Sequence, residues 1–158
     1  MKKIAVVYYS KSGNTKAMAE IIAMGAGEDR EIKVDVVDIS DFPADRSLLY
    51  DGIIVGSPTY YGSMAWQIKK FFDDSVKFHG KLSGKVGAAF TSAANIGGGN
   101  ETTITGITNA MLIHGMMIFG RHKGDHYGVV SIGAPDDRVK EQCIDLGRRA
   151  ADMVKKLV

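Results

Sequence analysis

The stretch "KIAVVYYSKSGNTKAMAEIIAMGAG", residues 3–27, joins an apolar run, a cluster of hydroxyl side chains and a segment of helical period. The run at 3–9 is rich in β-branched and aromatic residues and lacks polar alternation, which is typical of a parallel strand buried on both faces. Ala17, Ile21 and Met24 are spaced three and four apart, which predicts a helix after the hydroxyl cluster. The stretch therefore predicts a strand, a polar turn and a helix in succession.

The same alternation continues along the chain. Further apolar runs predict strands at 31–39, 51–57 and 85–92, and a last strand in two pieces, "MMIFG" and "GVVSI". Segments of helical period lie between and after them, at 64–76, 100–114 and 135–158, the last with Pro135 in its first turn. Such alternation predicts an α/β fold, with a five-stranded parallel sheet covered by helices on both faces and a single domain over 1–158.

Composition and charge narrow the class of protein. The chain is 45% hydrophobic and 24% charged, and no apolar run approaches the roughly 20 residues that cross a bilayer. We therefore expect no membrane insertion, and the N-terminus lacks a signal-peptide pattern, which favours a cytoplasmic location. The net charge of +2 comes from scattered lysines and arginines, so nucleic acid is a poor candidate partner. The single cysteine, Cys143, shares a helical stripe with Val139, Leu146 and Ala150 and is predicted to be buried.

Three polar or glycine-rich segments follow predicted strands, at 10–15, 57–62 and 91–103. The carboxyl ends of parallel strands meet at one edge of a sheet, and open sheets of this kind bind ligands there. We therefore expect these three segments to lie together and to form the binding site.

Hydroxyl and amide groups dominate the first segment. Ser10, Ser12 and Thr15 surround Gly13 at the start of a helix, where O–H and backbone N–H donors suit an anion such as a phosphate. The alternative, that Asn14 or Ser12 only caps the helix, accounts for this segment equally well. The pattern is not a P-loop, because GxxxxGK[ST] is absent.

The other two segments suit a flat ring system. Tyr60 and Tyr61 offer planar faces after Pro58, and Gly62 allows close approach of the backbone to a ligand. The segment "TSAANIGGGNETT" adds bare backbone N–H groups beside small side chains. Read singly, the tyrosines are ordinary loop aromatics and the glycines a flexible connector. Three such segments on one edge favour a binding site.

Together these motifs resemble those of the flavodoxin-like FMN proteins, and most closely the WrbA-type NAD(P)H:quinone oxidoreductases. The resemblance rests on S-x-S-G-N-T, G-S-P-T-Y-Y-G and G-G-G-N-E-T-T, and it spans nearly the whole chain. It implies a doubly wound sheet of order 2-1-3-4-5, with the FMN phosphate at 10–15 and the isoalloxazine ring between 58–62 and 92–98. The implied FMN contacts are Ser10, Lys11, Ser12, Gly13, Asn14, Thr15, Pro58, Thr59, Tyr60, Tyr61, Gly62, Ser92, Ala93, Ala94, Asn95, Gly97 and Gly98.

Several positions depart from the quinone-reductase pattern. The chain passes from Ile39 to Asp51 without the insertion that helps such relatives form tetramers, which leaves a homodimer or another oligomer open. Phe78 stands where a tryptophan is expected in the substrate pocket, and Tyr127 is a second candidate for its wall. No catalytic residue is assigned, and the candidates beside the flavin are Tyr61, Gly62 and His114.

Two functions remain open from the sequence, and the sequence favours the first of them. The first is an oxidoreductase that takes electrons from NADH or NADPH and passes them to a quinone or similar small molecule, since the third segment has no aromatic to cover one flavin face. The second is a flavodoxin-type carrier between redox proteins, which the short chain favours and the positive net charge disfavours.

Other chemistries fit the sequence poorly. The four histidines show no metal-ligand spacing, and we predict no metal site. A phosphate-accepting receiver domain needs acidic residues where this chain has Tyr9 and Ser57.

Overall fold

The computed structural model describes residues 1–157, and over this range the chain forms seven strands and four α-helices. The strands are β1 Lys2–Tyr8, β2 Ile32–Asp38, β3 Gly52–Tyr60, β4 Ser63–Met64, β5 Val86–Ala93, β6 Met117–Ile118 and β7 Val129–Ile132. The helices are α1 Asn14–Ala26, α2 Trp66–Asp74, α3 Asn100–Ile113 and α4 Asp137–Leu157, with short 3₁₀ helices at Ile39–Asp41, Ala44–Leu49 and Ser75–Phe78.

The strands form one twisted layer in the order β2-β1-β3-β5, with β6 and β7 pairing in turn along the outer edge of β5. All of these pairs are parallel. Because β6 and β7 are the two pieces of the predicted last strand, the predicted order 2-1-3-4-5 is confirmed. The two-residue strand β4 pairs antiparallel with the end of β3 and was not predicted.

Both faces of the sheet are buried, as the unalternating apolar run of β1 predicts. Ile4 and Val6 pack into the cluster under α1 and α4, whereas Ala5 and Val7 pack into the cluster that includes α2 and α3. All four side chains have no exposed surface. β1 thus has a helical layer on each side, which leaves the ends of the strands as the open edges of the sheet.

Several predicted boundaries differ from the structure, among them the end of β3 and the start of the closing helix. The helix predicted at 64–76 spans Trp66–Asp74, because Ser63 and Met64 form β4. β3 was predicted to end at Ser57 but continues to Tyr60, because β5 pairs with it as far as Pro58 and β4 with its last two residues. β1 ends opposite Gly56, so no strand lies on its other side at Pro58 and the missing N–H is tolerated.

The closing helix begins at Asp137 rather than Pro135. The Asp136 carboxylate accepts the Val139 N–H at 2.8 Å, which places the N-cap at Asp136 and Pro135 just before it. The predicted last residue of this helix, Val158, lies outside the described residues. Within residues 1–157 no helix has both the length and the apolar character needed to cross a membrane.

Candidate functional site

The carboxyl edge of the sheet brings the three predicted segments together around one pocket of about 280 Å³. The first segment, the end of β3 and the end of β5 each supply part of its wall. The lining includes one lysine and no carboxylate. The lining residues are Lys11, Ser12, Asn14, Thr15, Pro58, Thr59, Tyr60, Ser92, Ala93, Ala94 and Gly133. We call this pocket and the loops around it the rim cradle.

The start of α1 is open toward the cradle. Gly13 has φ 97°, and its N–H donates to Ser10 Oγ at 3.1 Å, which tightens the turn. The helix has no side-chain cap and no acidic residue in its first turn, so the alternative that Asn14 or Ser12 serves as a cap is not what the structure contains. The first backbone bond of the helix runs from the Ala17 N–H to the Gly13 carbonyl at 2.9 Å, so the N–H groups before Ala17 have no acceptor within the helix.

A buried hydroxyl pair ties this turn to the sheet. Thr15 Oγ1 and Ser92 Oγ lie 2.8 Å apart, and both residues are more than nine-tenths buried. One hydroxyl donates to the other, which leaves the second hydrogen of the pair available to a ligand. Thr15 therefore positions the loop as well as facing the cradle.

A second pair holds the end of β3 in place. Thr91 Oγ1 donates to the Ser57 carbonyl at 2.7 Å, and so Thr59 Oγ1, at 2.9 Å, is the donor to Thr91. Ser57 Oγ in turn accepts the Ala65 N–H at 2.8 Å. These contacts fix the β3–β4 hairpin on a rigid base.

The hairpin turn contains an unusual backbone. Tyr61 has φ 49° and Gly62 has φ 77°, which is the positive-φ pair of a type I′ turn. A tyrosine in this conformation costs on the order of 1–3 kcal/mol. Its side chain is fully exposed, so no packing within residues 1–157 offsets that cost. A strained and fully exposed aromatic is a signal of a ligand-facing position.

The third segment packs directly on this turn. Gly99 has φ 104°, and a Cβ placed on it would overlap the Cα of Gly62. Gly97 donates its N–H to Asn100 Oδ1 at 3.2 Å, and Ile96 at the tip of the loop is 84% exposed. The glycines thus permit a close approach between two loops, rather than providing a flexible connector.

Tyr60 faces the cradle from β3. Its ring lies edge-on to Tyr9, with ring centroids 6.4 Å apart. Burial, and then the neighbouring Tyr9, raise the pKa of the Tyr60 phenol. Tyr60 therefore stays a neutral hydrogen-bonding group at physiological pH and adds no negative charge to the cradle.

Two of the predicted residues lie away from the rim. His114 and Phe78 stack with ring centroids 6.1 Å apart, just before the strands β6 and β5. These strands begin there, since Met117 pairs with Val86, the first residue of β5. Both side chains are therefore at the amino edge of the sheet, opposite the cradle.

His114 has a structural setting at that edge. Ser75 Oγ donates to the Phe72 carbonyl, so His114 Nε2, 2.6 Å from the same oxygen, is the donor in this contact. Burial, and then His79, lower the pKa of His114, which keeps the ring neutral near pH 7.

The third candidate taken from the quinone-reductase pattern, Tyr127, also lies away from the cradle. Tyr127 is half exposed and lies two residues before Val129, which pairs with Phe90 in the middle of β5, so it does not line the cradle.

Cys143 has no exposed surface, and burial, followed by Asp125, raises its pKa to about 12. Among the described residues no group of three histidine, cysteine, aspartate or glutamate side chains is placed to hold a metal ion.

A parallel sheet of this order, covered on both faces, defines a doubly wound α/β protein. The uncapped helix start at its carboxyl edge is a candidate site for a phosphate-bearing ligand.

Comparison with known proteins gives the family. A family model described as flavodoxin matches residues 6–104. A flavodoxin of Aquifex aeolicus is 38% identical over 98% of this chain and 88% of its own length, and a NAD(P)H dehydrogenase (quinone) of Gluconacetobacter diazotrophicus is 34% identical over 99% of each. The crystal structure of a WrbA-like flavodoxin from Agrobacterium tumefaciens superposes with a TM-score of 0.83 at 29% identity, over the whole of both chains. The chain belongs to the flavodoxin family.

Membership of this family implies a flavin, FMN, as the bound group. The residues present fit such a group, because the cradle combines hydroxyls and free N–H groups at a helix start with a loop contact at Gly99 that a side chain would block. When bound, FMN supplies the redox chemistry, and the protein supplies position and electrostatics.

Proposed function

We propose that this chain binds FMN in the rim cradle and works as an electron carrier between redox proteins. The observation that carries the proposal is the cradle itself. Its lining combines an uncapped helix start and a lysine with the ends of β3 and β5, and it contains no carboxylate. An uncapped helix start of this kind favours the phosphate of FMN.

The phosphate end is assigned to the first segment. Ser12 and Asn14 line the pocket beside the free N–H groups of α1, and the Thr15–Ser92 pair retains one hydroxyl hydrogen for a ligand. The Lys11 side chain adds a positive charge. Hydroxyl and backbone donors suit a phosphate dianion that is held partly by the helix dipole.

The ring end is assigned to the space between the hairpin turn and the third segment. Tyr61 offers an exposed aromatic face there, and the Tyr61–Gly62 backbone is the candidate contact for flavin N5. Backbone donors at 93–98 would meet the O2 and N1 edge, where reduction builds negative charge. Because residues 93–98 include no carboxylate, the repulsion of a reduced, anionic ring should be mild.

The carrier role rests on what surrounds the cradle. Tyr61 and Ile96 are exposed apolar side chains beside the proposed ring site, which suits contact with a partner protein. His114 and Phe78, two of the three candidates taken from the quinone-reductase pattern, lie at the opposite edge of the sheet. The alignment with the quinone dehydrogenase extends over 197 positions, so that relative has segments that this 158-residue chain lacks.

A second candidate is an NAD(P)H-dependent reductase of quinones or similar acceptors. It is supported by relatives that carry this name at 34–36% identity and by the absence of an aromatic from the third segment, where Ile96 is the only large apolar side chain. Without an aromatic from this segment, one face of the ring would be open to a nicotinamide and then to a quinone.

An anaerobic experiment separates the two functions. FMN-loaded protein is mixed with NADH or NADPH, then with a benzoquinone, and the flavin absorbance is followed; a parallel sample is reduced stepwise by dithionite. The carrier proposal predicts no bleaching by either nucleotide within minutes and two separate one-electron steps with dithionite. Fast bleaching by a nucleotide and reoxidation by the quinone would establish the reductase instead.

A further inference from the structure

The turn between β3 and β4 is held from outside the hairpin by the start of α3. Thr102 Oγ1 lies 2.7 Å from the Gly62 carbonyl oxygen, across 40 positions of sequence. The same hydroxyl lies 3.0 Å from the Gly99 carbonyl, three residues before it in its own helix. Because a hydroxyl has one hydrogen, the two carbonyls share it, and the shorter contact is the one to the turn.

Backbone contact reinforces this hydrogen bond. Gly99 meets Gly62 so closely that a Cβ on Gly99 would overlap the Cα of Gly62. Thr102 Oγ1 would lie 3.1 Å from the same Cβ. The start of α3 thus touches the strained turn through one hydroxyl and one glycine, and neither contact belongs to the core.

Strain makes such a contact consequential. Tyr61 has a positive φ that a tyrosine adopts at a cost of about 1–3 kcal/mol, so the turn tends to relax into other conformations when nothing holds it. The exposed side chain of Tyr61 provides no packing that would oppose this relaxation. The Gly62 carbonyl is the atom of the turn to which the start of α3 donates a side-chain hydrogen bond.

We propose that Thr102 is a positioning residue for the flavin ring: its hydroxyl holds the Tyr61–Gly62 turn in the conformation that receives the ring. This rests on the proposed FMN site. Thr102 acts before the ligand binds, because its hydrogen bond raises the fraction of protein molecules in which the turn already has the ring-binding conformation. When only a fraction of the protein is competent, the apparent dissociation constant rises in inverse proportion to that fraction.

The test compares three variants of the intact chain. Thr102→Val removes the hydroxyl and keeps the branched shape, whereas Thr102→Ser restores the hydroxyl. Thr105→Val is the matched control, because Thr105 Oγ1 bonds only to carbonyls of its own helix, at Glu101 and Thr102. Each apoprotein is titrated with FMN and with riboflavin. The hydrogen exchange of the backbone amide of Ser63, which pairs with Tyr60 across the turn, is measured without ligand.

Thr102→Val is expected to weaken the binding of FMN and of riboflavin by the same factor, about fivefold to tenfold, because the turn meets the ring and not the phosphate. Its Ser63 amide should exchange faster by a similar factor, and its melting temperature should stay close to that of the wild type, since Thr102 is exposed. Thr102→Ser and Thr105→Val should match the wild type in all three measurements.

Two results would overturn the proposal. One is unchanged flavin affinity and unchanged Ser63 exchange in Thr102→Val. The other is a loss of melting temperature without a loss of affinity, which would show a merely structural contact. If the wild type binds no flavin at all, the proposed function fails, and Ser63 exchange in the apoprotein alone still decides whether Thr102 holds the turn.

Discussion

Tyr61 combines a conformation that tyrosine rarely adopts with a side chain that is fully exposed among residues 1–157. Asparagine or glycine would form the same two-residue turn at a lower cost. Folding alone therefore gives no reason for a tyrosine here. A ligand that stacks on the ring would give such a reason, and Tyr61 therefore favours a flavin placed at the hairpin.

Replacing Tyr61 with glycine tests this argument. The relief of strain, offset by the greater freedom of glycine in the unfolded chain, should leave the stability of the apoprotein unchanged or raise it by about 1 kcal/mol. FMN binding should weaken, because the aromatic face is lost. Urea unfolding and a flavin titration measure the two quantities. A clear loss of stability would mean that the tyrosine serves the fold.

His114 gives a prediction about pH. Its pKa is lowered in the folded protein by burial and by His79, so below about pH 6.5 the unfolded chain binds the proton more readily. The free energy of unfolding contributed by this group is therefore present above that pH and is lost as the pH falls toward the folded-state pKa. Unfolding in urea at about pH 7.5 and about pH 5.5 measures the difference.

The control for this effect is His114→Gln, which can still donate to Ser75 but does not titrate. The variant should lose less stability than the wild type between the two pH values, and its FMN affinity should be unchanged because the residue lies at the edge opposite the cradle. An equal pH dependence in both proteins, or weaker FMN binding in the variant, would contradict the placement of His114.

For individual helices and strands, the local sequence pattern predicts that an element exists better than it predicts where the element begins and ends. The apolar runs of β1 and β5 and the helical period of α4 are strong signals, and their boundaries agree with the structure within two residues. β4 has only two residues and forms because the turn at Tyr61 folds it back onto β3, a pairing with no periodic signal. Pro58 suggested the end of a strand, yet its position beyond the end of β1 allows the strand to continue.

The contact between α1 and α4 depends on two glycines, Gly25 in α1 and Gly147 in α4. A Cβ on Gly147 would overlap the Ile22 carbonyl and the Ala26 nitrogen, which are backbone atoms and cannot turn aside. Gly147→Ala should therefore lower the free energy of unfolding by about 1–3 kcal/mol. Gly106→Ala in α3 is the control, since its Cβ would meet only the end of the Met64 side chain and alanine favours a helix, so its stability should hold or rise by up to about 1 kcal/mol. Urea denaturation of both variants makes the comparison, and an unaffected Gly147→Ala would refute the close helix packing.

Across the whole molecule, the two edges of the sheet differ in character. The carboxyl edge has strained turns, free N–H groups and exposed aromatics, whereas the amino edge buries Phe78 and His114. The sequence predicts the cradle because polar segments after parallel strands must meet at one edge. The same rule puts Phe78 and His114, which precede β5 and β6, at the opposite edge. The prediction that placed them near the flavin came from the resemblance and did not apply this rule. The contact between Thr102 and Gly62 joins distant positions without a motif, so only the structure reveals it.

In the proposed complex the cradle holds the phosphate of FMN at the start of α1 and the ring at the hairpin turn. The most direct measurement is a fluorescence titration of the apoprotein with FMN and with riboflavin, which lacks the phosphate, repeated for Ser12→Ala combined with Thr15→Val. The account predicts one FMN per chain, riboflavin bound at least about tenfold more weakly, and a variant that loses most of this preference while keeping its riboflavin affinity. Equal affinity for the two flavins in the wild type, or a variant that keeps the full preference for FMN, would contradict it.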